Sequence, residues 1–159
     1  MPESYVPTVL IVDDEEMVLT ALRSFLQLET SYRVLTTTSP EAALDIIRND
    51  FVDVIVADFM MPAMDGIEFL KRARDLRPHA TRILLTGYAD VQNAIRAINE
   101  AGLYHYLEKP WDNDRLILVI RNGVERSSLV NELDSRLSAL EAANVELFEM
   151  RKRLIKAFL

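Results

Sequence analysis

Short apolar runs alternate with amphipathic stretches along this chain. Residues 9–13 (Val-Leu-Ile-Val-Asp) are apolar and end in carboxylates, the pattern of a strand buried in a parallel sheet. Residues 15–28 then place Val18, Leu22, Phe25 and Leu26 at helical spacing. The alternation repeats, with strand-like segments near 33–37, 53–57, 81–86 and 104–108. Helix-like segments lie near 40–48, 66–76, 90–101 and from 113 onward. Ser39-Pro40-Glu41 is a helix start, with Ser39 as cap and Pro40 in the first turn. Gly102 is placed to end the helix that closes at Ala101. Five strands alternating with five helices predict an α/β fold with a doubly wound parallel sheet.

The last helix runs past the point where a compact domain is complete. From Val130 a heptad continues unbroken through Leu133, Leu137, Leu140, Asn144, Leu147, Arg151, Leu154 and Phe158. Its d positions (133, 140, 147, 154) are all Leu, which predicts a coiled coil. Asn144 at a is the residue type that fixes register and favours two parallel strands. Arg136 at g and Glu141 at the next e match across such a dimer, and Arg151 at a is tolerated because its head reaches water. Phe148, Met150 and Ile155 widen the apolar face at e and g. The expected organisation is a domain over residues 1–125 and a dimerising helix over 126–159. No helix stop follows Lys156, so a further segment is expected beyond it.

Composition narrows the classes. The chain has no cysteine, which excludes disulfides and thiolate metal sites and fits a reducing cytoplasm, the expected location. No signal-peptide pattern opens the chain, and no apolar run approaches a membrane span. The net charge is −7, and residues 130–159 are balanced, so the charge lies on the rest of the chain. An acidic body with no basic stripe, and no helix-turn-helix after Arg126, argues against direct nucleic-acid binding.

The candidate chemistry sits where the strands end. Asp13 and Asp14 follow the first strand and Asp58 the third, and in a doubly wound sheet these ends share one crevice. Crowded carboxylates repel unless a cation offsets them, and hard oxygen ligands suit Mg²⁺. Thr86 and Lys109 end the fourth and fifth strands and add a hydroxyl and an ammonium. Together they make a phosphoryl-transfer site with a carboxylate nucleophile. Asp65 is read as the turn into the next helix, and neither His79 nor His105 is given a catalytic role.

Asp13-Asp14, Asp58 with Met61-Pro62-Ala63-Met64-Asp65-Gly66, Leu85-Thr86-Gly87 and Tyr106-Leu107-Glu108-Lys109-Pro110 resemble the response-regulator receiver family over residues 7–125. The resemblance implies a flavodoxin-like sheet of order 2-1-3-4-5. It implies Asp58 as phosphoacceptor from a histidine kinase or phosphotransfer protein, with Mg²⁺ held by Asp13, Asp14, Asp58 and the backbone carbonyl of Met60. It further implies that Thr86 and Lys109 contact the phosphoryl oxygens, gaining partners they lack before phosphorylation. Tyr106 is then the aromatic that turns inward when Thr86 moves, and residues 90–121 form the face that reads the change. Met60 and Tyr88 border the path of an attacking water in this geometry; both are bulky and neither orients water.

Three functions compete at this level. One is a phosphorylation-controlled dimer that drives an output domain. Another is a stand-alone phosphorelay or adaptor protein that binds a partner through the coil. The third, a small phosphate hydrolase, lacks a general acid beside the nucleophile. The Gly87-Tyr88-Ala89-Asp90, Ala97-Ile98-Asn99 and Lys109-Pro110-Trp111-Asp112 stretches look similar to receivers that precede cyclic-dinucleotide phosphodiesterase, diguanylate cyclase or kinase modules.

Overall fold

The computed structural model describes residues 5–87 and 91–158. Among them, strands and helices alternate strictly: β1 (Thr8–Val12), α1 (Glu16–Glu29), β2 (Arg33–Thr37), α2 (Pro40–Asn49), β3 (Val54–Asp58), α3 (Gly66–Leu76), β4 (Thr81–Thr86), α4 (Val91–Ala101), β5 (His105–Glu108) and α5 (Asn113–Phe158). The strands pair in parallel in the expected order β2-β1-β3-β4-β5.

The two-residue period of each strand feeds two cores, one on each face of the sheet. Leu10, Val12, Ile55, Ala57 and Leu84 point toward α2, α3 and α4. Val9, Ile11, Val54, Val56, Ile83 and Leu85 point toward α1 and the first turns of α5. Strands buried on both faces explain why the sequence reads as unbroken apolar runs. Ser39 accepts the Ala42 N–H at 3.2 Å and Asp65 accepts the Glu68 N–H at 2.8 Å, so α2 and α3 start at satisfied caps. Gly102 ends α4 at φ +60°, a conformation glycine adopts without penalty.

Two charged side chains are buried where no apolar pattern announces them. Asp53, just before β3, is 1% exposed; its carboxylate accepts the Thr8 N–H at 2.8 Å and the Tyr5 hydroxyl at 2.7 Å. Burial, then the bond to Asp53 and its charge, push the Tyr5 phenol well above its ordinary pKa. Arg82 on β4 is 5% exposed, and its partners among the described residues are carbonyls. It donates to Ala101 O (2.9 Å), Ala80 O (3.0 Å), Gly102 O (3.2 Å) and Pro78 O (3.2 Å). Burial, with Arg126 and Arg74 nearby, lowers its pKa to about 10.

In α5, Leu116, Val119, Ile120 and Val124 complete the core on the α1 face. Gly123 lets the helix close on the sheet, since a Cβ there would stand 3.1 Å from Thr81 Cγ2 and 3.3 Å from Val54 Cγ2. Thr81 Oγ1 donates to the Gly123 carbonyl at 2.7 Å. The chain divides into two compact units between Ser127 and Ser128, and every described residue from Glu132 onward is exposed. No helix among the described residues is long and apolar enough to cross a membrane.

Candidate functional site

The sheet assembles the site by ending neighbouring strands at one rim. β1 and β3 are adjacent, with Val12 opposite Ala57, so Asp13 and Asp58 emerge side by side. Asp13 is fully buried and its Oδ1 accepts the Glu15 N–H at 2.9 Å, which fixes the carboxylate. Asp58 is 4% exposed and Asp14 is exposed. One oxygen from each of Asp13, Asp14 and Asp58 lies within 4.8 Å of the others.

Thr86, buried at the end of β4, accepts the Lys109 N–H on its carbonyl at 2.8 Å, which seats the lysine at the same rim. The Lys109–Pro110 peptide is cis. Lys109 Nζ stands 3.2 Å from Asp13 Oδ2 and 3.2 Å from Asp58 Oδ1. The expectation that this lysine lacks partners before phosphorylation is therefore corrected. Two buried carboxylates draw the ammonium in, because an unpaired charge at such a site is costly.

The electrostatics follow from this crowding. Burial, then the charge of Asp13, raise the pKa of Asp58, and Lys109 only partly offsets them. Burial pulls the Lys109 ammonium down, but Asp58 and Asp13 more than compensate, and its pKa is raised. The rim is short of positive charge even with the lysine in place.

The segment after β3 is held against Asp58 by its backbone. Gly66 N–H donates to Phe59 O at 2.9 Å, and a Cβ at Gly66 would lie 2.3 Å from the Asp58 carbonyl oxygen. The sequence pattern places Gly66 at the start of a helix; the close approach to Asp58 is what requires glycine there. Ala63, in the same segment, adopts φ 70°, a strained conformation for a residue with a Cβ. Asp65 caps α3 and faces Arg96 at 3.7 Å, apart from the acidic cluster.

Met60 is 69% exposed. Tyr106 is half-buried against the core on the α4 side and lines a cleft of about 480 Å³ with Trp111 and Arg115. Tyr88 lies outside the described residues. Along α5, Leu133, Leu137, Leu140, Asn144, Leu147 and Leu154 are all exposed in the single chain. Arg136 pairs within its own helix with Glu132 at 2.7 Å.

Residues 9–121 match the family described as response regulator receiver domain. The chain is 42% identical over 126 residues to the hydrogenase transcriptional regulatory protein HoxA of Cupriavidus necator, covering 79% of this chain and 26% of the relative. It is 33% identical over 141 residues to the C4-dicarboxylate transport transcriptional regulatory protein DctD of Rhizobium meliloti, covering 89% and 30%. The chain thus spans between a quarter and a third of the length of these curated relatives. Among solved structures, the signal receiver domain of an HD domain-containing protein from Pseudomonas fluorescens superposes with a TM-score of 0.74 at 35% identity, covering 78% of this chain and 98% of that one. A chain described as adenylate cyclase from Rhodopirellula baltica gives 0.79 at 30% identity, covering 84% and 98%. With a match running from β1 into α5, this chain belongs to the response regulator receiver domain family and is the receiver of a two-component response regulator.

Proposed function

We propose that Asp58 accepts a phosphoryl group from a histidine kinase or phosphotransfer protein in the cytoplasm. The carrying observation is the cluster itself: Asp13, Asp14 and Asp58 within 4.8 Å of one another, with Lys109 3.2 Å from two of them. An Asp58 oxygen attacks phosphorus, a P–O bond forms, and the donor's bond to phosphorus breaks. Lys109 neutralises the incoming oxygens, and Thr86 supplies a hydroxyl hydrogen bond. The donor set fits Mg²⁺: hard carboxylate oxygens, with Asp14 open to water. Asp13, Asp14, Asp58 and the Met60 carbonyl would hold it, and when bound it supplies charge neutralisation for phosphoryl transfer.

Acyl phosphate on Asp58 replaces one negative charge by about two. That draws Lys109 and Thr86 toward the phosphoryl oxygens, opens space near Tyr106, and alters the face formed by α4, β5 and α5. The chain's own chemistry is confined to gaining and losing this group. Residues 126–159 join two copies as a parallel coiled coil, and the signal passes to an output domain in a longer protein. The exposed leucine column at Leu133, Leu140, Leu147 and Leu154 supports this assembly.

The test is incubation with a small acyl phosphate and Mg²⁺, read by intact mass. One phosphoryl group is expected on the chain and none on Asp58→Asn. Equal labelling of the two overturns the assignment. Sedimentation of residues 1–125 against the whole chain checks the coil.

A further inference from the structure

The apolar seam of the final helix changes position partway along. From Val130 to Leu140 the apolar residues occupy a and d: Val130, Leu133, Leu137, Leu140. Beyond Leu140 the a column turns polar at Asn144 and Arg151, while the g column turns apolar at Ala143, Met150 and Ala157. The d leucines belong to both seams. Steps along the apolar stripe from Val130 to Ala157 run 3, 4, 3, 3, 4, 3, 4, 3. Two successive steps of three are a stammer, which overwinds a coiled coil locally and moves its contact face. The stripe is uncovered in the single chain: Leu140 is 57% exposed, Leu147 62%, Met150 49% and Leu154 59%.

We propose that a second copy of this chain packs in parallel on the shifted seam. From Leu140 onward the dimer core is then Leu140, Ala143, Leu147, Met150, Leu154 and Ala157, and the a column faces water. The inference rests on the parallel dimer proposed above and specifies which face of each helix makes it.

Charge selects the shifted seam. On an unshifted seam Arg151 meets its own copy across the core, because a faces a in a parallel pair. Two guanidiniums whose stems pack face to face repel, and each keeps its hydration only by turning its head out of the core, with no partner there. On the shifted seam Arg151 becomes an e-type flank residue and Glu146 the preceding g-type one. A g residue faces the e residue five positions later on the other copy, so Glu146 meets Arg151 of the second copy, and symmetry makes the pair twice. Asn144 moves to a flank where water satisfies its amide.

The absence of native cysteine makes the test direct. Leu133→Cys, Ala143→Cys, Asn144→Cys, Met150→Cys and Arg151→Cys are made singly in the whole chain, oxidised, and resolved without reductant. Leu133→Cys is expected to cross-link, and Ala143→Cys and Met150→Cys several-fold faster than Asn144→Cys and Arg151→Cys. The reverse order overturns the shift while leaving the dimer intact. No cross-linking at Leu133, with a monomer in sedimentation, overturns the dimer and the shifted seam with it. A charge exchange gives a second reading. Glu146→Arg should lower the melting temperature of the dimer, and adding Arg151→Glu should restore it. No effect of Glu146→Arg means the residue is off the interface and overturns the shift.

Discussion

Lys109 Nζ lies 3.2 Å from Asp58 Oδ1, on the side chain proposed to receive the phosphoryl group. The same ammonium is 3.2 Å from Asp13 Oδ2, so one cation separates two buried anions. Lys109→Met keeps the stem and removes the charge. It should lower stability at pH 7 by about 1–3 kcal/mol, because two buried carboxylates lose their partner. Adding Asp58→Asn should recover part of that loss, since one of the repelling charges is gone. Urea unfolding of the single and double variants measures both; additive losses would count against the coupling.

Gly66→Ala tests the seat of Asp58. The new Cβ would lie 2.3 Å from the Asp58 carbonyl oxygen, so strand end and helix start must part. Overpacking of this kind costs about 1–3 kcal/mol. Phosphorylation from a small donor should also slow, because the nucleophile shifts relative to Asp13 and Lys109. Rates and denaturation midpoints for this variant, beside Gly87→Ala where a Cβ meets nothing within 4 Å, separate a local effect from a general one.

Alkaline pH should act through Tyr5. Its hydroxyl donates to buried Asp53, and its pKa is raised, so the folded state holds the phenolic proton more tightly than the unfolded chain does. The contribution is fully present below the ordinary tyrosine pKa of about 10 and is lost as pH climbs above it. Tyr5 is 56% exposed, so Tyr5→Phe should cost under about 1 kcal/mol at pH 7. Melting temperatures between neutral and alkaline pH should fall more steeply for the unaltered chain than for Tyr5→Phe. Parallel curves would remove Tyr5 from the account.

Self-dephosphorylation should be slow. The family resemblance implies that Met60 and Tyr88 border the water path, and neither residue type carries an acid or amide to orient the nucleophile. Misplacing it costs up to about 10²-fold. With Mg²⁺ present, the Met60→Asn, Tyr88→Glu double variant should lose its phosphoryl group faster. Identical decay curves would show that these residues do not govern water access.

The strands and helices were legible because each is a local periodic signal. The run at 53–57 became Val54–Asp58, and the helix from 66 to 76 kept both ends. The convergence of Asp13, Asp14, Asp58 and Lys109 was also legible, since strand order alone brings those ends together. What escaped depends on contacts between distant segments. Thr8 and Asp53 are 45 residues apart, and Arg82 reaches carbonyls up to 20 residues away. Nothing in the local pattern distinguishes an arginine folded inward from one in water. The pairing of Lys109 with Asp13 spans 96 residues and depends on side-chain reach, which spacing does not encode.

Arg82 also divides β4 by how charge is held at each end. At one end Thr86 borders the opposite charges of Asp13, Asp58 and Lys109. At the other, a guanidinium with a pKa lowered to about 10 is held by peptide oxygens under nearly complete burial, with no acid paired to it among the described residues. Peptide oxygens do not titrate, so its acceptors stay the same across the pH range, with Arg74 and Arg126 as the charges near it. A six-residue strand therefore joins a terminus of paired opposite charges to one where a cation is held by peptide oxygens, and the latter grips the end of α4.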